Sequence, residues 1–272
     1  GPMGGRPVDR IVVTHLHPDH IGCAGWLAQE CDAARWMTRG EYLLCRVLVA
    51  DTGRPTPIAG DRFYRGAGFL PDDMTHYHEM FGMFGKYVSH IPESYHRLQA
   101  GDCLQVGSNQ WQVLIGRGHS PEHACLFCAE LNLLISGDQL LPTISSNVSV
   151  YPTESGANPL GDWLTSLPRL KESIPSDVLV LPAHGRPFRG AHERLDAMIA
   201  EPNEGLDKLQ DLCREPKRAI DVFSVVFVRE TNKNTVILSN GASIANLNYL
   251  LTTGCLNVES DTAGPNWQQR VK

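Results

Sequence analysis

Four side chains able to ligate a metal, His15, His17, Asp19 and His20, crowd into one short stretch directly after the apolar run Ile11-Val12-Val13. In extended backbone, residues two apart face the same side, so His15 and His17 can chelate one ion while Leu16 points into a core. Pro18 then stops the strand. Asp19 and His20 fall at the start of the following helix, turned in a different direction, where they can reach a second ion nearby. Imidazole and carboxylate at this density suit zinc, iron or manganese better than a hard cation such as calcium.

Three more candidates lie further along the chain. His119 stands in Gly116-Arg117-Gly118-His119-Ser120, just past the apolar run Trp111 to Ile115, and completes a three-histidine set. His123, four residues on, reads as a supporting hydrogen-bond partner or a core histidine rather than a ligand. Asp138 ends Leu133-Leu134-Ile135-Ser136-Gly137-Asp138. An unpaired carboxylate there would be costly, and a place between two cations accounts for it. His184 closes the run Val178 to Leu181 in the same way, after Pro182-Ala183. Each time, an apolar strand delivers ligating chemistry just past its carboxyl end, where open α/β sheets place their sites. Two cations about 3.5 to 4 Å apart would share a water and lower its pKa towards neutrality. Asp19 is then the residue to orient that nucleophile and take its proton. Ser145, Asn147 and Tyr151, in the loop after Asp138, are candidate substrate contacts, with a solvated, locally hydrogen-bonded loop as the alternative.

The elements that must position these residues follow from hydrophobic spacing. Strands are predicted at Ile11 to Val13, Trp111 to Ile115, Leu133 to Ile135 and Val178 to Leu181, with Ala124 to Cys128 a further buried strand. Helices are predicted at Ile21 to Gln29, Glu41 to Ala50 and Leu160 to Glu172. The alternation argues for an α/β core. Residues 51–97, rich in Gly, Pro, Met and aromatics, form an insertion too long for a plain loop. They read either as a cap whose Met80 to Phe84 stretch shapes an apolar pocket or as the local core of a helix pair. After Arg189 come amphipathic helices at Ala191 to Ala200 and Glu204 to Cys213. A tail follows in which Ala219 to Val228, Thr235 to Leu238 and Ala242 to Leu251 suggest helix, strand and helix. The expected division is a catalytic domain over 1–190 and a small winged-helix-like domain over 191–272.

Composition narrows the function classes. The 272 residues carry a formal net charge of -6, with acidic and basic groups mixed along the chain. No polybasic arm is present, which argues against a nucleic-acid partner. No apolar run approaches the roughly 18 residues of a membrane span. The expectations are a small-molecule substrate, no membrane contact and a cytoplasmic location, with a homodimer left open. The eight cysteines sit mostly in apolar stretches and read as buried thiols, Cys125 and Cys128 included.

At this point the chain resembles the metallo-β-lactamase superfamily. Its T-H-x-H-x-D-H signature is matched by Thr14 to His20, and its later ligands by His119, Asp138 and His184. The resemblance covers most of residues 8–190 and implies an αββα sandwich. It places His15, His17 and His119 on one metal, Asp19, His20 and His184 on the other, and Asp138 between them. Asp138 stands where lactam-cleaving members often have Cys or Ser, so the chain is more similar to the hydroxyacylglutathione hydrolase, lactonase and nuclease branches. The small tail is similar to that of the lactamase-β-like subgroup. Family members normally carry several strands ahead of the histidine motif, and here fourteen residues precede His15. The expectation is a sheet lacking those strands. The function so implied is a dinuclear hydrolase, with zinc as the expected metal, acting on a thioester or lactone by attack of a metal-bridging hydroxide. The alternatives are a metal-dependent nuclease or phosphodiesterase, and a catalytically impaired metal-binding fragment.

Overall fold

A computed structural model describes residues 7–226, 232–233, 235–260 and 264–269. Among these, the apolar runs flanking the candidate ligands form two sheets. The first holds β1 (Arg10–Val12), β2 (Ala34–Thr38) and β3 (His96–Leu98), all parallel, in the order β1-β2-β3. Parallel neighbours need long crossovers, and the helix Ala24–Cys31 lies in the one between β1 and β2. The second holds β4 (Cys103–Val106), β5 (Asn109–Gly116), β6 (His123–Cys128), β7 (Leu133–Gly137) and β8 (Leu179–Pro182), in sequence order. Its pairings are antiparallel except the last, where β8 joins β7 in parallel.

Side-chain alternation assigns the faces. Val12 and Trp36 pack with Leu98, Leu104, Val113 and Ala124 into a core that joins the two sheets. Val13 and Met37, one residue on, point the other way and pack with Ala24, Tyr42 and Cys45 from the helices Ala24–Cys31 and Arg39–Ala50. Leu98, 1% exposed, is typical of this core. Burying such a side chain stabilises the fold by about 2 kcal/mol. Cys125 and Cys128 are buried free thiols, as expected.

The chain groups into two compact units. One takes in residues up to Arg54, Phe81–Ile144 and Arg169–Arg194, and so contains both sheets; the other takes in Pro55–Met80, Ser145–Pro168 and the chain from Leu195 onward. In the second unit the helices Ile58–Ala67 and Pro71–Met80 share an aromatic cluster, with Tyr64 4.8 Å from Phe69 and 4.4 Å from Tyr77, ring centre to ring centre. Phe84, from the Met80 to Phe84 stretch, packs instead against the Tyr42–Cys45 core of the first unit.

Three expectations need correction. Thr235 to Leu238 is not a strand: Val236 begins a helix running to Thr252. Burial of Val236, Ser239, Asn240 and Ser243 along one side overrides the β preference of Val236 and Ile237. The two helices expected at Ala191 to Ala200 and Glu204 to Cys213 are one, Ala191–Leu212, which continues through Pro202. Pro202 removes one backbone donor, and the buried Leu195, Met198, Leu206 and Leu209 keep the helical spacing on both sides of it. Of the expected helix at Ala219 to Val228, Ala219–Val222 is a 3-10 turn and Phe223–Val226 a helix, while the last two residues lie outside the described ones. A hairpin of β9 (Leu256–Ser260) and β10 (Pro265–Gln269) closes the chain. No helix among the described residues is long and apolar enough to cross a membrane.

Candidate metal centre

Four strand ends converge. β1 gives way to a bent segment carrying His15 and His17, and Pro18 opens the short helix Pro18–Ile21 that carries Asp19 and His20. Leu16, 4% exposed, enters the core as its spacing predicts. His119 stands between β5 and β6, Asp138 directly after β7, and His184 two residues after β8. The parallel pairing of β7 and β8 brings the last two to the same sheet edge. The Ala124 N–H donates to the Thr14 carbonyl at 2.8 Å and ties β6 to the histidine segment.

All seven predicted ligands are brought together. His15 Nε2 lies 3.0 Å from His17 Nδ1 and 3.3 Å from His119 Nε2. Asp138 Oδ2 is 3.4 Å from His119 Nε2 and 3.3 Å from His20 Nε2, and its Oδ1 is 3.6 Å from His184 Nε2. Asp19 Oδ2 is 3.4 Å from His20 Nε2 and 3.2 Å from His184 Nε2. Two donor groups result, His15, His17, His119 and Asp138 in one and Asp19, His20 and His184 in the other, each with its ligand atoms within 4.8 Å of one another. Asp138 reaches members of both.

The donor set fits divalent cations. Burial, reinforced by the neighbouring imidazoles, holds His15 far below the usual imidazole range, and burial with His119 holds His17 at about 4. Both rings are therefore neutral near pH 7 and offer lone pairs to a common point. Burial works against ionisation of Asp138, but hydrogen bonds from His119 and His20 and the nearby imidazole charges outweigh it and lower its carboxyl. His20 is the converse: burial pulls its pKa down, and the bond to Asp138 with the charges of Asp138 and Asp19 raises it. Depth separates the two groups. The His15 side chain is fully buried and that of His119 is 6% exposed, whereas in the other group His184 is 48% and Asp19 59% exposed, with His20, at 11%, turned inward towards Asp138.

His123 packs beneath this cluster as a support. Its ring stacks on His15 at 4.7 Å, and its Nε2 accepts the Asp138 N–H at 3.0 Å, so that ring nitrogen carries no proton. Gly137, at φ +51°, leaves room for it: a Cβ there would stand 2.5 Å from His123 Cε1 and Nε2. Sequence reasoning missed Glu41, whose buried carboxylate accepts hydrogen bonds from both histidine loops. The available signal was an acidic residue at the first turn of an apolar helix. Ser145, Asn147 and Tyr151 belong to the other unit. There the Ser145 hydroxyl donates to Glu201 and the Asn147 amide to the Ser149 hydroxyl at 2.7 Å, while Tyr151 is 42% exposed.

Comparison with known proteins identifies the family. A sequence profile described as the metallo-beta-lactamase superfamily matches residues 3–185. A β-lactamase domain protein from Burkholderia ambifaria is 35% identical, with a TM-score of 0.88 covering 98% of this chain and 76% of that one. A metallo-β-lactamase family protein from Thermus thermophilus has the same fold, with a TM-score of 0.78 at 24% identity over 97% of this chain and 80% of that one. YqjP of Bacillus subtilis, described as a probable metallo-hydrolase, is 24% identical over 81% of this chain and 68% of its own length. The chain spans about two thirds of the length of the curated relatives it matches. From the convergent histidine and aspartate donors, the paired sheets and these matches, the chain belongs to the metallo-β-lactamase superfamily.

Proposed function

We propose that this chain is a dinuclear metal-dependent hydrolase of an ester-like bond, a thioester or a lactone. The observation that carries the reading is the position of Asp138, whose two carboxylate oxygens lie within 3.3 to 3.7 Å of nitrogens from both donor groups. His15, His17 and His119 would hold one ion, Asp19, His20 and His184 the other, and Asp138 both; zinc is our assignment. Bound there, the metals supply Lewis acidity towards a carbonyl oxygen and make water more acidic.

The protein's own contribution falls to the exposed side. Substrate approaches past Asp19 and His184, since these are the exposed members of the donor set while His15 and the supporting His123 are fully buried. Asp19 Oδ2 is held between the His20 and His184 rings. From there Asp19 accepts a hydrogen bond from the attacking water, aims it at the carbonyl carbon and takes its proton. His15 and His17, held neutral by burial, do not compete for that proton. For the tail, we read the helices up to Thr252 and the β9–β10 hairpin as a winged-helix arrangement.

The test is metal content with a substrate panel. Two ions per chain and hydrolysis of a thioester or a lactone, with no turnover of a bis-aryl phosphodiester or a chromogenic cephalosporin, are expected. Turnover of the phosphodiester alone would replace this reading with a nuclease or phosphodiesterase. One ion or none, with no turnover, would leave a metal-binding scaffold.

A further inference from the structure

We propose that Glu41 is a positioning residue for the deep metal position, spacing the His15–His17 segment from the His119 loop and placing a buried negative charge beneath them. The inference rests on the metal-centre reading above. Glu41 is fully buried in the first turn of the helix Arg39–Ala50. Its Oε2 accepts the N–H of Leu16, the residue between His15 and His17, at 2.9 Å. Its Oε1 accepts the hydroxyl of Ser120, which follows His119, at 2.6 Å and the N–H of Glu122 at 2.8 Å. One carboxylate thus joins two loops far apart in sequence that carry the three histidines of the deep group.

The connection is reciprocal. Glu122 Oε2 accepts the Gly40 N–H at 2.7 Å, and the Glu122 carbonyl accepts the Thr38 hydroxyl at 2.8 Å. Residues 38–41 and 120–122 are therefore locked in register, and a Cβ on Gly40 would already stand 3.0 Å from Pro121 Cβ. Among the described residues no lysine or arginine pairs with Glu41; the nearby Arg117 pairs with Glu122 instead, at 3.5 Å. A buried carboxylate with hydrogen bonds but no counter-charge is costly. Cations held by the histidines above it would offset that cost. The exposed group gains less, since Glu41 accepts bonds from Leu16, Ser120 and Glu122, which flank the three deep histidines, and from nothing on the segment of His184.

Glu41→Gln tests this with nearly unchanged shape. Glutamine has one acceptor oxygen and one NH2, so either orientation turns a donor against the Leu16 N–H or the Glu122 N–H. Metal-free wild type and variant are titrated with Zn2+ against a chromophoric chelator, and with Co2+ followed by its visible absorption bands. Wild type should take two ions. The variant should bind one with wild-type affinity and the other about 10- to 100-fold more weakly, with altered Co2+ bands for that ion alone. His119→Ala identifies the deep ion by removing the same one. A role in folding alone would lower the melting temperature without separating the two affinities. Should Glu41→Gln fail to fold, Ser120→Ala, which removes one donor, carries the test with an expected several-fold loss for the same ion. Two wild-type affinities in a folded variant overturn the role of Glu41 while leaving the metal centre standing. A wild type that binds neither ion overturns the metal-centre reading, and this inference with it.

Discussion

Replacing Gly137 by alanine probes how tightly the support beneath the metal centre is packed. Gly137 has φ +51°, and its missing Cβ would lie 2.5 Å from two atoms of His123 and 3.3 Å from Thr14 Cβ. A left-handed alanine costs about 1 kcal/mol. Overpacking against a ring that cannot retreat adds about 1 to 3 kcal/mol, because His123 is fully buried and stacked on His15. If the ring yields, it gives up the Asp138 N–H bond, worth about 1 kcal/mol. Either way the total is about 2 to 4 kcal/mol, a large part of the 5 to 15 that hold a typical domain together. At about 2 to 4 °C per kcal/mol, thermal melting of the metal-free protein should fall by roughly 10 °C. Gly107, at φ +61° with nothing within 4 Å of its Cβ position, is the control. Its alanine variant should pay the conformational cost alone, about 1 kcal/mol. Equal melting temperatures for the two variants would refute the packing argument, because only the contact with His123 separates them.

Acidity should act through the same rings. His15, His17 and His123 are held below the ordinary imidazole value chiefly by burial, His17 at about 4 and His123 at about 3. The unfolded chain takes up protons near pH 6.5 that these native rings refuse, so the metal-free protein should lose stability as pH falls from about 6.5 towards 4, with the raised His20 offsetting part of the loss. A urea midpoint no lower at pH 5 than at pH 7 would contradict this. Asp19→Ala should reduce turnover at least about 100-fold and weaken the exposed ion while leaving the melting temperature of the metal-free protein unchanged, since Asp19 is largely solvent-facing. Undiminished turnover with full metal content would remove Asp19 from the mechanism. Leu98→Ala should cost about 2 to 5 kcal/mol in chemical denaturation, against within about 0.5 for Val106→Ala, because Leu98 is 1% and Val106 55% exposed.

The ligands were legible because their chemistry is local. Histidine and aspartate at the ends of apolar runs declare both their type and their place, and β5, β7 and β8 formed where Trp111, Leu133 and Val178 marked them. β2 and β3 were not legible. Ala34–Thr38 and His96–Leu98 are short and mix Arg35, Trp36, His96 and Arg97 with apolar residues, and parallel pairing leaves no hairpin turn between them to mark. Glu41 was hidden for a related reason. Its partners Leu16, Ser120 and Glu122 come from distant parts of the chain, and only the fold shows that a helix-start glutamate is buried there. Thr235 to Leu238 misled through the β-branched pair Val236 and Ile237, whose setting was decided by burial along the helix.

The parallel seam between β7 and β8 also orders the assembly of the site during synthesis. A nascent chain that has emerged as far as Asp138 already carries every member of the deep donor group. The exposed group must wait for His184, on a strand that reaches its neighbour only after a long crossover through the helix Pro159–Ser173. Closing so large a loop is slow relative to pairing adjacent hairpin strands. The deep donor group can therefore come together first, and the exposed group is completed last, by the strand that finishes the sheet.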